Sequence, residues 1–244
     1  MNKIKPWILA ARPKTLFAAV SPIIIGLSIS FYIYQSINWE IALLTIISAL
    51  LIQIGSNYAN DAYDYLKGSD NKKIRKGPLR MAEDGQLSPN AILNMMYFIF
   101  LISVGIGFYL ALVGGWPIVV IGLLSILFAI IYTGGPFPLG YNGLGDIAVF
   151  IFFGVIATMG TTYLQSQSVI SHINIFDYSH EIILSAIAIG CLNTAILVVN
   201  NIRDYESDKI ANKKTLVVFF GEKFACFEYS ILLTVSFICF ILIY

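Results

Sequence analysis

The sequence predicts an all-α membrane protein built as a polytopic bundle of transmembrane helices, and three observations point to this class. Of the 244 residues, 58% are hydrophobic and only 12% are charged, whereas a soluble globular domain carries about 25% charged residues. The mean hydropathy is +0.80. The charges are also segregated, because stretches such as residues 85–145 contain no Asp, Glu, Lys or Arg. This pattern excludes a water-soluble fold and a disordered chain.

Seven apolar stretches approach the length of about 20 residues that a membrane-spanning helix needs. They are residues 16–34, 41–59, 91–113, 117–132, 147–165, 182–200 and 224–244. The first stretch is too long for a cleavable signal peptide and lacks a small-residue cleavage site. We therefore expect seven spans in a single transmembrane domain that covers residues 1–244.

The basic residues predict the orientation of the bundle. All 15 Lys and Arg residues lie in the N-terminal tail, the second connection and the sixth connection. With seven spans, these three segments share one side of the membrane, and the positive-inside rule makes that side cytoplasmic. We expect a bacterial inner-membrane protein with a cytoplasmic N-terminus. The formal net charge of +1 argues against a nucleic-acid partner, which would require a basic excess.

Two similar acidic clusters close the second and sixth spans. Each has an asparagine, an aspartate four residues later and another aspartate three or four residues beyond: Asn57, Asp61 and Asp64 in the first cluster, and Asn200, Asp204 and Asp208 in the second. At 3.6 residues per turn, the members of each cluster share a helix face. Carboxylates this close at a membrane surface are poorly tolerated unless a cation neutralises them. Two matched clusters therefore predict a Mg²⁺ site, since this ion takes oxygen ligands and completes its shell with phosphates.

A simpler alternative is that each cluster is a solvated helix end paired with nearby lysines, which explains one cluster better than two.

The side chains on the same side of the membrane suit a diphosphate that carries an isoprenoid tail in an apolar tunnel between helices. Its phosphate oxygens would find donors in the basic residues Arg75, Arg80, Arg203, Lys209 and Lys213. An allylic cation would need aromatic faces, and tyrosines such as Tyr132 and Tyr141 cluster here, although a single interfacial Tyr is more often an anchor.

The connection at residues 132–146 is predicted to be a loop rather than a helix. It contains five glycines and two prolines, and its only charged residue is the last, Asp146. Its length exceeds that of common connections. This favours a lid or an acceptor pocket over a plain connector.

The chain resembles the UbiA superfamily of intramembrane aromatic prenyltransferases in both acidic motifs, Asn57-x-x-x-Asp61-x-x-Asp64 and Arg203-Asp204-x-x-x-Asp208. Residues 212–216 are similar to the family's Gly-Lys-x-Thr-Leu, with Asn212 in place of the glycine. Asn tolerates the left-handed backbone better than most residues. Residues 12–16, 77–80 and 132–150 resemble the menaquinone-pathway branch, which prenylates 1,4-dihydroxy-2-naphthoate.

The resemblance implies an enzyme whose active site opens on the cytoplasmic face. Mg²⁺ ions on a polyprenyl diphosphate would be held by Asp61, Asp64, Asp204 and Asp208, with help from Asn57 and Asp70, and the phosphates would contact Arg80, Arg203 and Lys213. The acceptor would be an aromatic hydroxy acid whose ring carbon attacks the allylic carbon. In this branch the ring also loses CO₂, which gives demethylmenaquinone. Family members usually have nine membrane helices, so we expect the seven-span chain to lack the last two.

Other interpretations of the same residues stay open. The acceptor of a prenyltransferase could instead be 4-hydroxybenzoate, homogentisate or haem. A divalent-cation transporter would use the same carboxylates, but transport sites usually lie near the bilayer midplane, whereas these acids lie at one face. An inactive, truncated paralogue would bind prenyl diphosphate without forming product.

Overall fold

The computed structural model describes residues 3–69, 77–78, 80–169 and 179–243, and within these ranges the chain is helical apart from turns and connections. In chain order the helices are α1 Lys5–Ala11, α2 Leu16–Tyr34, α3 Trp39–Leu66, α4 Pro89–Gly114, α5 Trp116–Ile131, α6 Gly145–Phe150, α7 Ala157–Val169, α8 His180–Arg203, α9 Tyr205–Ile210, α10 Leu216–Phe220 and α11 Glu222–Ile243. A π-helical segment, Ile151–Ile156, joins α6 to α7. The predicted all-α class is therefore confirmed.

Six helical stretches of the described chain are long and apolar enough to cross a membrane: Lys5–Tyr34, Trp39–Leu66, Pro89–Gly114, Gly145–Val169, His180–Arg203 and Glu222–Ile243. They coincide with six of the seven predicted spans. The remaining prediction, residues 117–132, corresponds to α5, which has 16 residues. At 1.5 Å per residue, a helix of that length extends about 24 Å, short of a hydrocarbon core of about 30 Å.

Consecutive long helices run antiparallel, so the chain returns repeatedly to the same two ends of the bundle. At one end α3 and α8 finish, and α2, α4, α6 and α11 begin. We call this the charged end, because the described parts of the N-terminal, second and sixth connections meet there. Asn57 of α3 donates to the Ala11 carbonyl, for example, and Arg80 of the second connection pairs with Asp64. The described parts of the three basic segments are thus gathered at one end, as their charge pattern predicts.

Close approaches at glycines set the packing of the bundle. A Cβ at Gly55 would collide with the ring of Phe100, so this glycine lets α4 lie against α3. A Cβ at Gly154 would collide with the backbone of Gly190, which brings the π-helical segment onto α8. Among the six candidate spans of the described chain, α8 is the most buried, with 61% of its most apolar stretch buried, compared with 11% for α11.

The glycine- and proline-rich connection departs from the prediction at its end. Residues 139–141 form a 3-10 turn, and α6 begins at Gly145, so Asp146 lies in the first turn of a helix. The connection wraps around Tyr132. A Cβ at Gly140 would lie 3.0 Å from the Tyr132 ring, and one at Gly145 would lie 3.0 Å from its hydroxyl. Some of these glycines therefore provide space for Tyr132 rather than flexibility.

Candidate active site

A small polar pocket at the charged end brings the two acidic clusters together. Its volume is about 20 Å³, close to what a single water needs. Its lining combines carboxylates, hydroxyls and cations: Asp64, Ser69, Arg80, Tyr141, Asp204, Ser207, Asp208 and Lys213. The prediction that the clusters face each other is therefore met by Asp64 from the first cluster and by both aspartates of the second.

Asn57 and Asp61 of the first cluster do not line this pocket. The Asn57 side-chain amide donates 2.9 Å hydrogen bonds to the Ala11 carbonyl and to the Thr15 hydroxyl. Asp61 is 1% exposed, and its two carboxylate oxygens accept from the backbone N–H groups of Met81 and Ala82, both at 3.0 Å. In this structure both side chains fasten neighbouring segments to α3. Of the three residues of the first cluster, the structure therefore brings only Asp64 to the pocket.

The second cluster is arranged around the end of a helix. Helix α8 finishes at Arg203, Asp204 forms the junction, and Asp208 lies in the short helix α9. The turn allows both aspartates to line the pocket. Asn200 is half-buried and does not line it, although its backbone carbonyl accepts from the Asp204 N–H at 3.0 Å.

The predicted phosphate-binding cations occupy different positions. The Arg80 side chain is buried and donates to Asp64 at 2.6 Å. Lys213 lines the pocket, with its ammonium nitrogen 3.7 Å from an Asp208 carboxylate oxygen. Arg203 binds Asp204 through two hydrogen bonds, at 2.6 and 3.0 Å, but does not itself line the pocket. Asp70, which was predicted to assist, lies outside the described residues.

A larger apolar cavity of about 340 Å³ runs through the bundle interior, within the usual range of small-molecule sites. It is lined mainly by aliphatic and aromatic side chains from α2 through α8, including Ile23, Ile52, Phe128, Phe152 and Leu164. The rings of Phe128 and Phe152 are in contact, with centroids 4.6 Å apart. The cavity thus provides the apolar tunnel that the sequence predicts.

The cavity ends close to the polar pocket. Asn60 lines the cavity and Asp64 lines the pocket. These residues are one turn apart on α3, so their Cβ atoms are about 5–6 Å apart. Tyr132, which follows α5, lines the cavity as well.

Burial raises the pKa of Tyr132, and the nearby carboxylates of Asp146, Asp64 and Asp208 raise it further. Its phenol therefore stays protonated at neutral pH.

Asn60, Ser69 and Ser207 line the cavity or the pocket but were not singled out as site residues from the sequence, and Tyr141 was named only among the clustered tyrosines. Asn60 carried a signal, because Asn-x-x-x-Asp occurs twice in this segment, as Asn57 with Asp61 and as Asn60 with Asp64. The spacing alone does not distinguish the two. The structure places Asn60 at the cavity and Asp64 at the pocket.

Partial burial lowers the pKa of Lys67, although the neighbouring Asp64 carboxylate opposes that shift.

The donor set of the pocket suits a magnesium ion that shares its ligands with a substrate. Carboxylate and hydroxyl oxygens are the ligands that Mg²⁺ takes in proteins, and it is usually held by one or two carboxylates together with substrate phosphates. Within the described residues, no group of three or more His, Cys, Asp and Glu side chains is close enough to hold a metal ion. The pocket therefore fits such shared coordination and does not fit a cage made only of protein ligands.

The fold and the site together define a multi-pass membrane protein in which an apolar cavity ends at a pocket of paired carboxylates and cations. The UbiA prenyltransferase family matches residues 19–244, and the chain belongs to this family. It is accordingly a prenyltransferase, which confirms the resemblance inferred from the two acidic motifs.

Curated relatives cover nearly the whole chain. A 1,4-dihydroxy-2-naphthoate octaprenyltransferase of Haemophilus influenzae is 38% identical over 98% of this chain and 77% of its own length. The Escherichia coli protein of the same name is also 38% identical, over 98% of this chain and 76% of its own length. Among solved structures, a UbiA homolog from Archaeoglobus fulgidus bound to GPP and Mg²⁺ has a TM-score of 0.71 at 17% identity, covering 98% of this chain and 77% of that chain. At that identity the likeness shows the fold alone.

Proposed function

We propose that the protein transfers a polyprenyl group from a prenyl diphosphate to 1,4-dihydroxy-2-naphthoate, with loss of CO₂, at the cytoplasmic face of a bacterial inner membrane. One observation carries this proposal: a polar pocket containing carboxylates of both acidic clusters adjoins the end of a large apolar cavity. A lipid diphosphate has the same two-part chemistry. The names of the 38%-identical relatives support the naphthoate acceptor.

The diphosphate would bind in the polar pocket. Arg80 and Lys213 would donate to its oxygens in place of part of their present pairing with Asp64 and Asp208. Exchanging a carboxylate partner for a phosphate partner retains a charge-assisted hydrogen bond, so the buried guanidinium of Arg80 would not be left unpaired. The pocket must widen for this, because it now has room for about one water.

Magnesium would be held by Asp64, Asp204 and Asp208, with the diphosphate oxygens completing its coordination. When bound, it would stabilise the negative charge that develops on the diphosphate as the C–O bond breaks. The Archaeoglobus fulgidus homolog is named as bound to GPP and Mg²⁺, which supports a magnesium ion beside the diphosphate. Asp61 was also predicted as a ligand, but its two bonds to backbone N–H groups favour a structural role.

The prenyl tail would lie in the apolar cavity, with its allylic carbon near Asn60 and Tyr132. Burial of the tail against aliphatic side chains contributes about 25 cal/mol per Å² of apolar surface. The aromatic pair Phe128 and Phe152 lines the same cavity. Aromatic faces attract a neighbouring cation, so this pair and Tyr132 would stabilise positive charge on the allylic unit while the bundle excludes water.

In the proposed reaction, a ring carbon of the acceptor forms a bond to the allylic carbon, and the electron pair of the broken C–O bond leaves with the diphosphate. The acceptor carboxylate departs as CO₂, so the overall exchange of carboxylate for prenyl needs no net proton. The product is the hydroquinone form of demethylmenaquinone. The raised pKa of Tyr132 suits this scheme, because a neutral phenol offers a hydrogen bond and an aromatic face rather than a base.

The test is a product assay with purified protein in lipid nanodiscs. The protein is incubated with Mg²⁺ or EDTA, a series of prenyl diphosphates of increasing length, and 1,4-dihydroxy-2-naphthoate, 4-hydroxybenzoate or homogentisate. We expect a product whose mass equals naphthoate plus prenyl minus CO₂, and only when Mg²⁺ is present. A product from another acid would reassign the acceptor, and a product of full mass would remove the decarboxylation from the proposal.

Two further results would overturn the proposal. Binding of prenyl diphosphate without any product would indicate a binding protein. Uptake of Mg²⁺ or Mn²⁺ into proteoliposomes without diphosphate would indicate a transporter that uses the same carboxylates. The position of Asp64, Asp204 and Asp208 at one end of the bundle disfavours transport, since transport sites usually lie near the bilayer midplane.

A further inference from the structure

Tyr141 makes more connections at the polar pocket than a loop anchor requires. It ends the 3-10 turn in the connection between α5 and α6. Its hydroxyl donates to an Asp64 carboxylate oxygen at 2.7 Å and also contacts the Ser69 hydroxyl. Its backbone carbonyl accepts from the Lys214 N–H at 3.0 Å. One residue of the connection is thus tied to segments that carry both acidic clusters.

The ring of Tyr141 also lies under two ammonium groups. The Lys67 nitrogen is 4.8 Å from the ring centroid and the Lys213 nitrogen is 5.5 Å from it. Both distances are within the range of about 6 Å over which an aromatic face attracts a cation. Two ammonium groups near one another repel, so the ring provides a face that keeps both of them close to the pocket.

The contacts of Tyr141 assign separate tasks to its hydroxyl and its ring. The hydroxyl occupies one oxygen of Asp64, while Arg80 binds the other oxygen at 2.6 Å. This pair of bonds determines how the carboxylate is oriented. The ring in turn attracts both lysine nitrogens, together with the Thr133 carbonyl that binds Lys67 and the Asp208 carboxylate that pairs with Lys213. A charged ligand gains affinity when its partners are already in place, because less ordering is needed on binding.

We infer that Tyr141 is a positioning residue for the diphosphate: through its ring it helps to hold Lys213 in the pocket and Lys67 beside it, and through its hydroxyl it orients Asp64. The inference rests on the proposed function and deepens it, because the ligand is the diphosphate of that reaction. Tyr141 acts through the lysines and the carboxylate, so its loss weakens diphosphate binding and leaves the acceptor side unchanged.

The alternative is that Tyr141 only fastens its loop. Lys67 provides a separate fastening, because its ammonium donates to the Thr133 carbonyl at 2.6 Å and to the Gly135 carbonyl at 3.4 Å. If Tyr141 were only a fastener, its removal would loosen the loop around Tyr132 as well. It would then change the Michaelis constant of the aromatic acid and the turnover number together with that of the diphosphate.

The experiment compares Tyr141→Phe, which keeps the ring, with Tyr141→Leu, which removes ring and hydroxyl. For Tyr141→Leu we expect the KM for prenyl diphosphate to rise about tenfold, and for Tyr141→Phe about threefold, from the lost cation–π contacts and the lost hydrogen bond. The KM for the aromatic acid stays within about twofold, and kcat changes less than the KM for diphosphate. Phe137→Leu is the matched control, since Phe137 is an exposed aromatic residue of the same connection.

A binding measurement provides a readout apart from turnover. Inorganic pyrophosphate with Mg²⁺ is titrated into each protein and followed by microscale thermophoresis, and its Kd is expected to rise in the same order as the KM. Equal losses for the aromatic acid and the diphosphate, or an unchanged pyrophosphate Kd in Tyr141→Leu, would overturn the inference. If the wild-type protein binds pyrophosphate but forms no prenylated product, the proposed function fails while the role of Tyr141 is still decided by the Kd series.

Discussion

The two acidic clusters have nearly the same sequence pattern but different structures. In the first, at the end of α3, the helix continues through the whole motif, and its residues divide between two surroundings. Asn57 and Asp61 bind the N-terminal segment and the connection after α3, whereas Asp64 reaches the pocket. In the second, α8 ends at Arg203, and both Asp204 and Asp208 line the pocket.

This difference shows that the segments packed against a helix determine which residues of its motif face the site. On a continuous helix such as α3, residues four apart lie above one another, so Asn57 with Asp61 and Asn60 with Asp64 form two adjacent rows. Each row meets whatever packs against it. Helix α8 ends before Asp204. Asp204 and Asp208 therefore do not lie in one row along that helix, and both line the pocket.

The largest effect should separate the pocket aspartates from the structural one. We expect Asp64→Asn and Asp208→Asn each to lower kcat/KM by about 10³-fold, which corresponds to about 4 kcal/mol of transition-state stabilisation. The amide keeps the side-chain volume. Asp208→Asn should change thermal unfolding in detergent little, because its partner Lys213 is partly exposed, whereas Asp64→Asn should also lower it, because the buried Arg80 loses its carboxylate partner. Turnover at the wild-type rate in either variant would place the metal elsewhere.

Asp61→Ala tests the other half of the comparison. It leaves the buried N–H groups of Met81 and Ala82 without an acceptor, and we expect the free energy of unfolding to fall by about 2–4 kcal/mol. The measurement is thermal or denaturant unfolding in detergent micelles. Asp204→Ala is the matched control and should lose less than about 1 kcal/mol, because Asp204 pairs with a partly exposed arginine. A larger loss in Asp204→Ala would contradict the division of roles.

Lys213 and Lys209 offer a matched pair on the second cluster. Lys213 lines the pocket, whereas Lys209 is exposed and its nitrogen lies 5.8 Å from the ring centroid of Tyr205. We expect Lys213→Met to raise the KM for prenyl diphosphate about tenfold, from the loss of one charge-assisted contact. Lys209→Met should stay within about twofold. Similar values for the two variants would show that general surface charge, not the pocket, attracts the diphosphate.

Burial raises the pKa of Tyr132, and the carboxylates of Asp146, Asp64 and Asp208 raise it further. All of these effects disfavour the phenolate, so the group stays neutral at neutral and mildly alkaline pH and contributes no alkaline limb to the rate. We expect Tyr132→Phe to lower kcat by about threefold, the value of a single neutral hydrogen bond, with an unchanged pH profile. An alkaline limb that disappears in Tyr132→Phe would show that the phenol ionises during turnover.

The smallest effect concerns the turn that follows the second cluster. Asn212 has φ of 53°, in the left-handed region that suits glycine and, less well, asparagine. We expect Asn212→Gly to change the free energy of unfolding by less than about 1 kcal/mol and Asn212→Ala to lower it by about 1 kcal/mol. Equal stability of the two variants in detergent would mean that the turn tolerates any residue.

The sequence by itself determined the helical membrane class, the position of the spans and the gathering of basic residues at one end. These properties depend on local composition, since an apolar stretch without charges has few alternatives to a membrane helix. The family was also predictable, because the acidic motifs are short patterns that can be recognised in the sequence without the fold. The left-handed backbone at Asn212 was also predictable, because asparagine is one of the few residues that tolerates it.

Only the tertiary structure decided which members of each motif face the site. Periodicity places residues on a helix but does not say which neighbour packs on each side, and Asp61 and Asp64, three residues apart, have different partners. Tyr141 came to the pocket through a loop with no regular period, held by contacts with Asp64, Lys67 and Lys213. Such contacts join residues far apart in the chain, so they arise from packing and not from local sequence.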